Sequence, residues 1–328
     1  MEMFIQDLRT RCKRLAPFLA CFLCVIQASA ADPAPAFDGP DNCAECHRPM
    51  HATWMHTAHY QTYLSAHRMR SGRRIAERLG IARIKQSETC AKCHYTVQPS
   101  APINTLPIAG VSCESCHGPA EKWNAVHADT TDPDALKKAE ALGLIRPGNL
   151  VGMVDRCYAC HTVNDEKLVN QGGHNPGSDF EMVAWLAGEV RHNFVRTKGS
   201  RNLPTSIERK RLFYVIGQIK TLEAAVRETG VARENGEFVD ARSARRRRAL
   251  ERLRKIQNRL NIDSLEQVIR LGDSAESMSN DKERLKNTAA AIAKLKLQFA
   301  SGRDGSKMAA IDDLVPNTDS YIGDVYRP

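Results

Sequence analysis

Between Cys43 and His161 the chain repeats one five-residue pattern: CAECH at 43–47, CAKCH at 90–94, CESCH at 113–117 and CYACH at 157–161. Paired cysteines in an exported chain suggest a disulfide framework or a zinc site, but neither predicts a histidine directly behind every second cysteine. Cys-x-x-Cys-His is the attachment signature of c-type haem: the two thiols add across the porphyrin vinyl groups and the histidine is carried under the ring to bind iron. Four matches assign four covalent haems, on Cys43 and Cys46, Cys90 and Cys93, Cys113 and Cys116, and Cys157 and Cys160. Their proximal ligands are His47, His94, His117 and His161.

The other histidines are His51, His56, His59, His67, His127, His174 and His192. A low-spin iron needs a second strong ligand, so four haems could consume four of them. His127 lies ten residues beyond His117, in AEKWNAVH, which reads as helix. Because a short helix leaving the proximal histidine points away from its own distal face, His127 is expected to reach a neighbouring haem. His59 follows His47 by twelve residues in a helical stretch that begins after Pro49. His56 and His59 share a face at i and i+3, with His51 eight residues earlier, so not all three can be ligands. Trp54 reads either as a porphyrin contact or as plain core. In DFEMVAWLAGEVRHNF the residues Phe180, Val183, Ala184, Ala187 and Val190 trace a helical stripe with His192 near its end, another candidate distal ligand. His174, in the turn GGHNPG, could be a ligand, a propionate partner or a solvent residue.

The four motifs, the CxxCH followed by Trp54, Thr57, Ala58 and His59, and the block GVSCESCHGP with His127 behind it resemble the tetrahaem cytochrome c-554 family over residues 38–195. In that family three haems carry two histidines, and the haem of the second motif is five-coordinate. The resemblance implies His127 as distal ligand of the first haem, His59 of the third and His192 of the fourth, with an open face at Cys90/Cys93. Spare histidines leave room for His174 or His67 to close that face. The family works as a periplasmic electron carrier, known for taking electrons from hydroxylamine oxidoreductase. That supports electron transfer without carrying over the donor.

These ligands need elements to hold them. Four haems on residues 31–200 leave little apolar chain per cofactor, so a mainly α, multihaem cytochrome fold is expected, its core formed by the haems, with short ligand-bearing helices and almost no sheet. Residues 201–328 read as a helical C-terminal extension without cysteine or histidine after Gly199, a bundle or a clamp across the haem domain. Thr205 and Glu208 form a capping box ahead of Leu212, Ile216, Ile219, Leu222 and Val226, a helix ending by Gly230. A second helix spans 241–260, a third starts at Ser264 boxed with Gln267, GDSAESMSND reads as a loop, and a fourth carries Leu285, Ala289, Ile292 and Leu295.

Residues 1–30 read as a signal peptide: Arg9, Arg11, Lys13 and Arg14 precede the apolar run APFLACFLCVIQ, with cleavage after Ala30, which places the mature protein in the periplasm. Removing its four basic and two acidic residues lowers the formal +9 by two, and haem propionates lower it further. Net charge is therefore no argument for nucleic acid. Between Ala241 and Lys255 eight basic side chains face a single Glu. They read as a solvated helix face or as a docking patch for an acidic redox partner or a membrane surface. The leading function is electron transfer between respiratory redox proteins, without catalysis. The alternatives are a reductase using an open second haem on a small nitrogen or sulfur compound, and a docking subunit of a respiratory complex.

Overall fold

The computed structural model describes residues 35–98, 106–177 and 179–326. The signal-peptide reading falls outside these residues. Residues 35–328 form one compact unit, and among the described residues the regular structure is helical apart from one isolated bridge between Thr96 and Ala109. None of these helices is long and apolar enough to cross a membrane.

The first part is a string of short helices: α1 (Pro40–Ala44), α2 (Arg48–Met55), α3 (Ala58–Ser65), α4 (Arg70–Arg78), α5 (Glu88–His94), α6 (Cys113–His117), α7 (Asn124–Ala128) and α8 (Ala135–Ala141). Then come α9 (Leu150–His161), α10 (Glu166–Asn170) and α11 (Met182–Leu186). The last part holds the long helices α12 (Ile207–Val231), α13 (Glu237–Leu260), α14 (Asp263–Ser277) and α15 (Lys282–Ala300).

The two parts differ in what fills them. The main apolar core is built by α12 to α15 together with α9 and α11, and contains Val154, Tyr158, Met182, Leu212, Ile216, Ile219, Leu222, Leu253 and Ile292. Residues 35–119, which carry three of the four haem motifs, contribute no side chain to any of the three apolar clusters. A chain segment that size does not hold a fixed shape without buried apolar surface. This is what a fold whose core is supplied by porphyrin requires.

The extension is a bundle, with α12 at its centre packed along α13 and α15. The fourth motif belongs to the same core: Tyr158 of CYACH is 2% exposed, and its hydroxyl accepts a hydrogen bond from Thr221 of α12 at 3.1 Å. Several boundaries differ from the sequence reading. Ser206, not Thr205, caps α12, its Oγ accepting from Arg209 N. The segment GDSAES stays helical to Ser277, because Gly272 and Ala275 continue the buried stripe of Leu265, Val268 and Ile269. Helix α11 stops at Leu186, well short of His192. Its continuation is blocked by the C-terminal tail, where Ile322 N donates to Ala184 O at 3.0 Å and takes the carbonyl a longer helix would use.

Candidate functional site

Each CxxCH histidine faces one other histidine. The ring centres are 6.1 Å apart for His47 and His127, 6.2 Å for His161 and His59, 6.3 Å for His94 and His174, and 6.2 Å for His117 and His192. The four distances agree closely while the interplanar angles run from 22° to 87°. Direct ring contact would couple distance to angle. A central atom bound from both sides fixes the distance and leaves rotation about the axis free. An iron–nitrogen bond of about 2 Å on each side, with each ring centre about 1 Å behind its nitrogen, gives roughly 6 Å. The residues present thus fit haem iron held between two imidazoles.

Hydrogen bonds prepare the distal rings. The Nδ1 atoms of His127, His174 and His192 meet the carbonyls of Asn124 at 2.5 Å, Asn175 at 2.7 Å and Val190 at 2.7 Å. Such a bond fixes the tautomer and leaves Nε2 available to a metal. The proximal His117 does the same with Ile145 O at 2.8 Å. Burial holds His59, His94, His117 and His161 below the usual imidazole range, His161 at about 4, so these rings are neutral at physiological pH. Between His59 and His161 opens an apolar cavity lined by Cys157, Phe180, Met182 and Trp185, with the thiol and both imidazoles on one hollow.

The pairing differs from the one the family resemblance implies. His127 faces the first motif, as implied, but His59 faces the fourth motif rather than the third, and His192 the third rather than the fourth. The reason is where the local structure points them. Trp54 Nε1 donates to Val111 O at 2.7 Å, and Val111 N to His59 O, so α3 lies against the strand-like entry to the third motif and its ring reaches past it. Gly110 permits this approach, since a Cβ there would stand 2.5 Å from His59 O. His192 lies in an irregular segment, tied by Glu189 N to Ile322 O at 2.9 Å. The open face expected at Cys90/Cys93 has His174 opposite His94.

His51, His56 and His67 face none of the four motif histidines. His51 packs on Trp54, His56 stacks on Tyr326 at 4.4 Å, and His67 lies near Lys85 and Arg68. Trp54 makes an edge contact with Tyr60.

Neighbouring sites touch. Cys43 and Cys113 lie close enough to interact, which with burial raises Cys43, and Cys93 and Cys160 do likewise, raising Cys93. His47 feels His192 as well as His127, His161 feels His59 and His94, and Cys157 feels Cys116. The order in space is therefore first, third, fourth, second motif. None of the eight motif cysteines is paired in a disulfide, and no group of three or more Cys, His, Asp or Glu able to hold a metal ion occurs among the described residues.

Two supports were not visible as such in the sequence. Glu114, inside CESCH, is 1% exposed; its carboxylate accepts from Asp38 N, Gly39 N and Ala120 N at 2.8–2.9 Å and so fastens the entry of the first motif to the third. The arginine-rich stretch of α13 is a solvated face only in part, with Arg247, Arg248, Arg254 and Lys255 exposed. Arg242, Arg245 and Arg246 are 0%, 5% and 8% exposed, and Arg248 and Arg252 pair with Asp179, Arg254 with Asp273.

Residues 42–118 match the family model described as cytochrome c554 and c-prime. The chain is 29% identical over 167 residues, 47% of its own length and 68% of the relative's, to cytochrome c-554 of Nitrosomonas europaea. No solved structure matches.

Proposed function

The haem-bearing part of this chain belongs to the cytochrome c-554 family, and from that premise we propose that the protein is a periplasmic electron carrier with four covalent haems, each held between two histidines. Haem iron cycling between ferric and ferrous supplies the redox chemistry; the chain supplies closeness, axial ligands and burial, which set each potential. The observation that carries the reading is the set of four histidine pairs at one distance. Imidazole on both faces leaves no place for a substrate at iron, which favours conduction over the reductase reading. The motif order gives the route two ends, the His47/His127 site and the His94/His174 site. Donor and acceptor are then separate redox proteins that meet these ends. Export follows from the leader-like first thirty residues and from the periplasmic setting of the family.

The test is made on the purified full chain. Its mass should exceed that of the polypeptide by four haems, and every haem should be reducible and re-oxidisable by a soluble redox protein. Rapid consumption of hydroxylamine, nitrite or sulfite with a reduced dye as donor would refute the carrier reading.

A further inference from the structure

Among the four ligand pairs, the one at the second motif has a histidine where the family pattern implies an open face, and the loop that carries this histidine is hydrogen-bonded to the C-terminal bundle. His174 sits in an irregular loop beyond α10, a position where a ring is free to turn unless something fixes the backbone. That loop is held from two sides. Lys92 of α5, between Cys90 and Cys93, pairs with Asp165 at 3.1 Å, and Asp165 caps α10 through Leu168 N at 2.9 Å. His174 N in turn donates to Leu168 O at 3.1 Å.

The other side is α13. Arg242, fully buried, donates through Nη1 to Pro176 O at 2.9 Å and through Nη2 to Thr162 O and Val163 O at 2.7 and 2.5 Å. Arg245 donates to the same two carbonyls, Pro176 O at 3.0 Å and Thr162 O at 3.3 Å. Glu228 of α12 compensates both guanidinium groups, at 2.7 Å from Arg242 and 3.6 Å from Arg245. Planar guanidinium forks fix several acceptors at once in a way an ammonium cannot. The backbone they hold is not relaxed: Val163 has φ 52, unfavourable for a β-branched residue. Gly177, at φ 101, has no room for a Cβ, which would stand 2.4 Å from Arg245 Nη2. The two carbonyl groups belong to residues just behind His161 and just beyond His174.

We propose that His174 is the sixth ligand of the second haem, and that Arg242 and Arg245 of the C-terminal bundle are positioning residues that hold its loop against His94. This rests on the four-haem reading above. The bundle then acts as a ligand clamp, and this chain lacks the open haem that the family pattern provides.

The experiment uses full-length holoprotein, with haem count by intact mass beside ferric EPR and carbon monoxide binding to the reduced form. Wild type should show no high-spin haem and bind no carbon monoxide. His174→Gly should keep four haems, convert one in four to high spin and bind one equivalent, and added imidazole should restore the low-spin spectrum. Arg245→Met should keep the haem count and helical circular dichroism yet give partial carbon monoxide binding, suppressed in Arg245→Lys. That binding should not rise above one equivalent when Arg245→Met is combined with His174→Gly. Carbon monoxide binding by wild type that His174→Gly leaves unchanged would overturn the ligand assignment. An Arg245→Met protein as closed as wild type would overturn the clamp. A wild-type mass short of four haems would instead refute the reading on which both rest.

Discussion

At the scale of single residues, the angle between paired imidazoles is a property that spectroscopy reads directly. Each ring donates into the iron orbital perpendicular to its own plane, so parallel rings act on one orbital and split the pair, while perpendicular rings act on both and leave them nearly equal. His47 and His127 are inclined by 22° and His117 and His192 by 87°. The ferric protein should therefore show a rhombic low-spin EPR signal that His127→Ala removes, and a signal of much larger maximal g that His192→Ala removes. Loss of the same signal in both variants would contradict the pairing. A second residue reports on pH. Glu181 accepts from Ala184 N at 2.7 Å with one oxygen, while its other oxygen is buried without a partner. Burial pushes its carboxyl up to about 7. The folded state thus binds a proton that the unfolded chain releases near 4.5, and stability falls as pH rises from about 4.5 through 7. Relative to Glu181→Gln, wild type should lose up to about 3 kcal/mol between pH 5 and pH 8 in denaturant titrations. A difference independent of pH would show that the carboxyl is not held neutral.

At the scale of elements, α9, α12 and α15 are joined by a buried charge network as well as by apolar packing. Glu223 is 1% exposed and lies 2.5 Å from Lys220 and 3.9 Å from Lys296, with Arg227 Nε donating to its other oxygen at 2.6 Å. Lys296, 2% exposed, also meets Asp155 of α9. Replacing Glu223 by Gln leaves buried Lys296 with only a half-exposed carboxylate and should cost about 3–5 kcal/mol in chemical unfolding. Lys296→Met should cost less, because Glu223 keeps two cations and Asp155 reaches water. Equal costs would argue against the network. The elements also show what was legible in the sequence. The long helices were, since Leu212 to Val226 and Leu285 to Leu295 repeat at threes and fours and no competing contact interrupts them. The attachment motifs were legible because their spacing is covalent chemistry. The ends of α11 and α14 were not: a tail more than a hundred residues away ends the first, and burial of Gly272 and Ala275 continues the second. The distal pairing was equally hidden, because which ring meets which depends on contacts such as Trp54 with Val111 and Ile322 with Glu189. The burial of Arg242 was hidden as well, since its acceptors are backbone carbonyls that carry no residue type.

At the scale of the whole molecule, the bundle and the haem-bearing part divide the work of making a core. Residues 35–119 bring no side chain to an apolar cluster, whereas Val154, Tyr158, Met182 and Val183, each at most 2% exposed, lie against the bundle. The fourth motif therefore depends on protein packing, and the first three on their cofactors and on local ties such as those of Glu114 and of Lys92 with Asp165. Cutting the chain after residue 200 would uncover those four side chains. At roughly 1.5–3 kcal/mol each this forfeits roughly 6–12 kcal/mol, comparable to the whole stability of an ordinary domain, about 5–15 kcal/mol. It would also remove Arg242 and Arg245 from behind the His161 and His174 loops. A chain of residues 1–200 should accumulate at well under a tenth of the full-length level, and any soluble fraction should be rapidly proteolysed and bind carbon monoxide. The cut removes the hydrogen bonds behind both His161 and His174, so carbon monoxide should bind at these sites before the His47/His127 site loosens. Recovery of a protease-resistant fragment with four haems and the full-length EPR spectrum would mean that the bundle is an appendage, and that the haem-bearing part holds its ligands alone.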